Sequence, residues 1–384
     1  MSAAFAIAAD RVFDGERIRE RHAVLVEGGR VRELVATKDL PASISVRTVK
    51  GLLAPGFIDV QVNGGGGVLF NDMPTVEGIR AIGAAHRKFG TTDFLPTLIT
   101  DTREKMEQAI AAVREGLAAG ISGLLGVHLE GPFISRQCKG AHNARHIRPM
   151  EDDDLALLTL LKAGRTLVTL SPEKAIVQTE QLTRLVKAGV IVVAGHTAAD
   201  YETLVNARGL GLAGYTHLFN AMPDLKKRAP GPVGAALDDR ESWCSIIADL
   251  HHVSAPALRI ALAARGTEKT MLITDAMSPT GTDATSFVLT EQKVYRRNGR
   301  LEFADGTLAG ADLDVATAVR NVHRELGVEL EAALNMASRN PAEFLRLDGD
   351  LGRIAPGYRA NLVLLDDELR VRSTWIDGLE QAVD

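Results

Sequence analysis

Between residues 57 and 274 the chain alternates strand-length apolar runs with helix-length amphipathic segments. The runs fall at 57–62, 92–96, 124–129, 167–170, 190–194, 213–217, 243–248 and 270–274. Amphipathic stretches lie between most of them, for example 75–89, 103–119, 153–163 and 255–264. A strand, a covering helix and another strand make the repeating unit of a parallel sheet, and eight such units close into a barrel. The expected fold is α/β: a (β/α)8 TIM-like barrel, with a doubly wound open sheet as the less favoured alternative.

The flanks read differently. Phe5-Ala6-Ile7-Ala8, His22 to Glu27, a Gly28-Gly29 turn and Val31 to Val35 have hairpin chemistry and strand-period patterning. Ala54-Pro55-Gly56 punctuates the end of this region. Past the eighth run, 286–290 and 293–295 around Asn298-Gly299 predict another hairpin, followed by helices over 314–325 and 330–338. The end of the chain returns to strands around Ala360 to Asp366. Both termini are therefore expected to build one small β-sandwich domain, residues 1–54 supplying its N-terminal part and 346–384 its C-terminal part, beside a barrel over 55–345.

Several strands end on groups that stability alone would not place there. The third stops at Glu130 before Gly131-Pro132. The fifth leads through Gly195 to His196, the sixth through Thr216 to His217, and the eighth through Thr274 to Asp275. Each would be a costly polar group in a dry mouth, since burying an unpaired charge costs several kcal/mol. In barrel enzymes the C-terminal strand tips carry the chemistry. One carboxylate and two imidazoles can hold a divalent metal and leave a position open for water. A further carboxylate can act as general base and then general acid. Hydrolysis of an amide or a similar carbonyl bond is the reaction implied. On the first strand Gln61 and Asn63 share a side by period two. The Gly64–Gly67 run lacks the Gly-Lys-Ser/Thr of a nucleotide loop and reads as a tight turn.

The motifs His-Leu-Glu-Gly-Pro-Phe, Lys-Gly-Ala-His-Asn, Gly-His-Thr, Thr-His-Leu-Phe-Asn-Ala-Met, Asp-Leu-His-His-Val, Thr-Asp-Ala-Met and Leu-Ala-Gly occur in that order. In this the chain resembles the N-acetylglucosamine-6-phosphate deacetylase family of the amidohydrolase superfamily, from about Pro55 to the end. The resemblance implies hydrolysis of the N-acetyl group of a phosphosugar in amino-sugar catabolism or cell-wall recycling. It implies Glu130, His196 and His217 as ligands of one divalent metal per subunit, with zinc first and iron, cobalt or manganese as alternatives. Asp275 then matches the catalytic acid/base and His142, after Ala141, the residue facing the acetyl carbonyl. Asn220 and Ala221 match contacts to the sugar phosphate, His252 a contact to the sugar, and Leu308, Ala309 and Gly310 a loop covering the ligand. Gln61 and Asn63 stand where many amidohydrolases carry His-Xaa-His, so the one-metal branch is expected, with both amides near substrate. Arg228 matches a phosphate-binding arginine that reaches the neighbouring subunit of a homodimer.

The remaining candidates have blander readings. His86 and His323 fall in helical segments as surface or packing residues, and His128 is a structural or supporting group. Arg145, His146 and Arg148 form a solvated run. His251, beside His252, competes with it for the sugar. A different amidohydrolase, acting on a cyclic amide or another N-acyl amino sugar, or a non-catalytic assembly protein of the same superfamily, are the alternatives.

A net charge of −5 gives no basic footprint for nucleic acid. No apolar run approaches the ~20 residues of a membrane span. The start lacks a basic, then apolar leader, and Cys138 and Cys244 fit no CxxC spacing. A cytoplasmic protein is the expectation.

Overall fold

The computed structural model of the chain describes residues 4–381; residues 1–3, part of the stretch read against a leader, lie outside them. Eight parallel strands follow one another around a barrel: Phe57–Val62, Thr91–Ile99, Gly126–Glu130, Arg165–Leu170, Ile191–Ala194, Gly214–Tyr215, Trp243–Ile247 and Thr270–Ile273. Strand eight returns to strand one just past its end, through a parallel bridge between Val62 and Ala276 and the bond from Asp275 N–H to Gln61 O (3.0 Å). All six residues of Phe57–Val62 and all nine of Thr91–Ile99 are buried, as expected of strands covered on both faces. Helices such as Val76–Arg87 and Arg103–Ala118 supply the outer cover, each capped by a threonine, Thr75 or Thr102, that accepts a first-turn N–H.

The termini join in one seven-stranded sheet whose seam is Ser45–Pro55. That strand pairs in parallel with Phe5–Phe13 and antiparallel with Leu362–Leu365. The sheet buries apolar residues on both faces, one around Val24, Leu53 and Trp375, the other around Ala6, Ala23 and Leu25. Gly56 alone separates Pro55 from the first barrel strand, and a Cβ there would lie 2.2 Å from Thr92 Oγ1, so only glycine fits the junction.

Three sequence expectations need correction. Strand two does not stop at Pro96 but continues to Ile99. The register shifts between Asp59/Phe94 and Val62/Pro96, an irregularity that accommodates a residue with no N–H to give. The Asn298-Gly299 turn joins Gln292–Arg297 to Arg300–Glu302, while Ser286–Leu289 turns into Gln292–Arg297 through Thr290 and Glu291. With Leu308–Ala311 these make a four-stranded sheet rather than one hairpin. Arg148 is no solvated residue: its guanidinium pairs with both oxygens of the fully buried Asp154 at 2.6 and 2.7 Å. Among the described residues no helix is long and apolar enough to cross a membrane.

Candidate metal centre and active site

The four strand-tip groups converge. Glu130 Oε1 lies 3.2 Å from His196 Nε2 and 2.9 Å from His217 Nε2. Gln61 Nε2 also donates to Glu130 Oε1 at 3.1 Å and to Asp275 Oδ1 at 3.1 Å. Asn63 Nδ2 donates to the same Asp275 oxygen at 2.6 Å. Thr216 Oγ1 donates in turn to Gln61 Oε1 (2.7 Å), which fixes the amide's orientation. Gln61 is thus held behind the carboxylates and does not line the cavity, whereas Asn63 does.

Hydrogen bonding at the far ring nitrogens separates the histidines. His196 Nδ1 is 2.8 Å from the Cys138 carbonyl, an acceptor only, so Nδ1 carries the proton. The neutral ring then presents its Nε2 lone pair to a carboxylate 3.2 Å away. Two acceptors face each other, and only a cation or an added proton between them resolves the contact. A histidine that gives its other N–H to a backbone carbonyl is the usual arrangement of a metal ligand. His142 is the opposite case. Its Nδ1 accepts the Thr100 N–H at 3.3 Å and lies 2.7 Å from Thr100 Oγ1, so the proton sits on Nε2. That N–H points to Glu130 Oε2 at 3.8 Å. Glu130, His142 and His196 form a tight ligand-type cluster, their ligating atoms within 4.8 Å of one another. The tautomers nevertheless make His142 a donor, and assign the lone pairs to Glu130 and His196, with His217 on the same oxygen.

Where an added proton rather than a cation takes up these contacts, the imidazoles become donors to Glu130. Burial acts to raise the Glu130 carboxyl, but the His196 and His217 hydrogen bonds outweigh it and hold it well below the usual carboxylate range. Burial lowers His217, yet its contacts with Glu130 raise it overall. His142 is driven well below the ordinary histidine value by burial and then by His196, so it stays neutral. Burial and the neighbouring Glu130 push Asp275 upward. Under the site, His128 is pushed down to about 4 by burial; it spans Thr97 Oγ1 and Thr169 Oγ1 as a neutral prop.

A cavity of about 280 Å³ opens over these groups. Asn63, Glu130, Ala141, His142, His196, His217, Asn220, Ala221, His252, Asp275, Leu308 and Gly310 all line it. His252 is oriented by Asp249, whose Oδ2 is 2.6 Å from its Nδ1, while His251 is exposed and accepts from Arg300. Leu308, Ala309 and Gly310 belong to the strand Leu308–Ala311 rather than a loop, because Ala311 N–H bonds to Asp275 O at 2.9 Å. Ala309 faces away and is fully buried; at Gly310 a Cβ would meet Met277 Cγ at 2.4 Å. Arg228 does not reach this cavity: it is exposed, in the segment before the helix Gly231–Asp238. That helix opens at Pro230-Gly231-Pro232, since proline in a first turn withholds an N–H that would have no partner.

A family model described as the amidohydrolase family matches residues 52–380. The chain belongs to the amidohydrolase family. Within it, the chain is similar to an N-acetylgalactosamine-6-phosphate deacetylase of Shewanella sp. (strain ANA-3), at 45% identity over 86% of this chain and 84% of the relative. It is 38% identical to the N-acetylglucosamine-6-phosphate deacetylase of Bos taurus, over 85% and 82% of the two chains. The crystal structure of N-acetylglucosamine-6-phosphate deacetylase from Pasteurella multocida superposes with a TM-score of 0.94 at 32% identity, covering 99% of this chain and all (100%) of that one.

Sequence reasoning missed several members of this amidohydrolase site. Thr100, which sets the His142 tautomer, follows the part of strand two hidden by Pro96. Ser245 Oγ, which accepts the His217 N–H at 2.9 Å, is an ordinary small residue within strand seven. Cys138 acts only through its carbonyl, which no side-chain pattern reveals.

Proposed function

We propose that the chain is a metal-dependent deacetylase of N-acetyl-D-glucosamine 6-phosphate that yields acetate and D-glucosamine 6-phosphate, acting in the cytoplasm in amino-sugar catabolism or cell-wall recycling. One observation carries the reading. The Nε2 atoms of His196 and His217 converge on one Glu130 oxygen, and a raised carboxyl and a proton-bearing imidazole meet them in one cavity. The donor set suits one divalent cation, zinc by preference, which when bound would polarise the amide carbonyl and acidify a water.

The chain's own groups do the rest. His142 Nε2–H is placed to donate to the carbonyl oxygen as it gains negative charge. Asp275 takes a proton from the attacking water as the C–O bond forms. It then returns that proton to the sugar nitrogen as the C–N bond breaks. Gln61 and Asn63 hold Oδ1 of Asp275, so Oδ2 is the oxygen left for this transfer. Asn220 and the backbone at Ala221 would meet the phosphate side of the sugar, and His252 a sugar hydroxyl. Both loop residues and His252 line the cavity.

A net negative chain needs a specific cation for a phosphate dianion. Arg228 is exposed rather than turned into its own cavity, which fits a symmetric homodimer where it serves the partner's site. Its planar fork suits phosphate oxygens. The galactosamine epimer is a second substrate reading, favoured by the names of relatives at 45% and 36% identity.

Acetate release from both epimers, with metal content per chain, tests the activity; no release by metal-replete protein refutes it. Mixing Arg228→Ala with Asp275→Asn subunits tests the dimer. One site of a mixed dimer keeps Asp275 and a partner Arg228, so activity rises above either variant alone. No recovery after verified subunit exchange removes the trans role.

A further inference from the structure

The catalytic cavity has one apolar wall. Ile99, Met277 and Leu289 line it, and the three side chains pack in a single buried cluster. The side chains that converge on the reacting centre, Glu130, His142, His196, His217 and Asp275, are polar. Of the terminal groups on an N-acetylated sugar phosphate, only the acyl methyl lacks a polar atom, so it belongs against this wall. Ile99 immediately precedes Thr100, whose N–H binds His142 Nδ1, so the wall stands beside the imidazole proposed to meet the acyl carbonyl.

Ile99 and Leu289 also bound a second pocket of about 220 Å³, whose other lining groups include Asn71, Asp101, Asn143 and His146. Two side chains therefore separate the catalytic cavity from polar space behind it. Leu289 is held at 2% exposure at the end of Ser286–Leu289, next to a turn whose residues Thr290 and Glu291 have φ of 47° and 66°. We propose that the Ile99–Leu289 partition fixes the length of the acyl group the enzyme removes. This rests on the deacetylase reading and adds its acyl specificity.

The test compares kcat/KM for N-acetyl, N-propanoyl and N-butanoyl forms of glucosamine 6-phosphate. One surplus methylene in a closed apolar pocket costs about 10- to 200-fold, so the native enzyme should reject the butanoyl form by ~100-fold or more. Leu289→Ala joins the two spaces and should shrink the acetyl-to-butanoyl ratio by about tenfold or more, chiefly by gain on the longer substrate. Leu289→Phe should move the other way and favour an N-formyl substrate over N-acetyl. Both ratios are internal to one preparation, so partial misfolding does not move them. Should Leu289→Ala fail to fold, Ile99→Val must shift the ratio several-fold in the same direction. Acetate release with ratios unmoved in the folded variants overturns the partition alone. No acetate release by the native enzyme overturns the underlying reading and the partition with it.

Discussion

Replacing Asp275 by asparagine separates catalysis from support in this site. Asp275 Oδ1 accepts from Gln61 Nε2 and Asn63 Nδ2. An asparagine keeps an oxygen in that place, so neither amide loses its acceptor. Alanine removes it, and although Gln61 keeps Glu130, Asn63 Nδ2 is left without an acceptor at a cost of about 1–3 kcal/mol. Burial and Glu130 raise the folded-state pKa of Asp275, so in metal-stripped protein its charged form works against folding near neutral pH. Asp275→Asn removes that opposition, and the stripped variant should melt no lower than the stripped native chain, whereas Asp275→Ala should melt lower. Catalysis should fall in both. General acid–base catalysis contributes about 10²- to 10⁴-fold, so kcat should drop by at least ~100-fold, or about 2.7 kcal/mol of barrier. Steady-state acetate release gives kcat, elemental analysis gives metal per chain, and calorimetry gives the melting point. Near-native turnover by a metal-replete Asp275→Asn enzyme would refute the proton-transfer role.

The remaining expectations concern the neighbours. Glu130→Gln replaces the charged member of the donor set by a neutral amide and should leave the purified chain with little metal, as should His196→Gln and His217→Gln; stoichiometric metal in all three would refute the ligand set. His142→Gln should retain the metal yet lower kcat by about 10²- to 10³-fold, the usual worth of one donor to a developing oxyanion; metal loss would show that it is a ligand instead. Burial pushes Asp59 up to about 7, although Thr274 and the Gln61 N–H bond to it. An acid with a raised folded pKa costs stability as pH rises from its unfolded value toward the folded one. Asp59→Asn should therefore gain on the native chain between about pH 4 and 7, by up to ~4 kcal/mol, in denaturant titrations of stripped protein; a flat difference across that range would refute the shift.

The parts legible in the sequence are those whose signal is local. Continuous apolar runs mark barrel strands because both faces are buried, and the polar residue ending each run marks a tip. Glu130, His196, His217 and Asp275 all stand out in this way. Legibility fails where a local rule has an exception. Pro96 lies inside strand two, and the register shift opposite it cannot be read from one strand alone. Pro230 and Pro232 open a helix that their usual meaning argues against. The strand Leu308–Ala311 pairs with Arg300–Glu302, but what brings it to the site is a bridge from Ala311 to Ala276, a partner far away in sequence. The proton on His142 depends on Thr100, 42 residues earlier, so no spacing rule could separate a donor imidazole from a ligand one.

The backbone at the strand tips links the barrel to its chemistry. His196, His217 and Asp275 have φ of 49°, 33° and 53°, a region that side-chain-bearing residues seldom adopt. Such conformations cost about 1–3 kcal/mol each and persist only where the surroundings over-determine them. Each residue here is held by bonds from outside its own strand. Ser135 N–H binds His196 O at 2.9 Å, and the His217 N–H binds Ser245 Oγ at 2.9 Å. Asp275 is tied on both sides, its N–H to Gln61 O at 3.0 Å and its carbonyl to Ala311 N–H at 2.9 Å. The left-handed residue ends the strand's alternation at the point where a side chain must meet groups from other strands. Neighbouring barrel strands (Ser245, Gln61), the segment after strand three (Ser135) and the added sheet (Ala311) supply the bonds that hold it, so the site geometry is a property of the assembled fold. A single βα unit could present the residues, but not in these conformations.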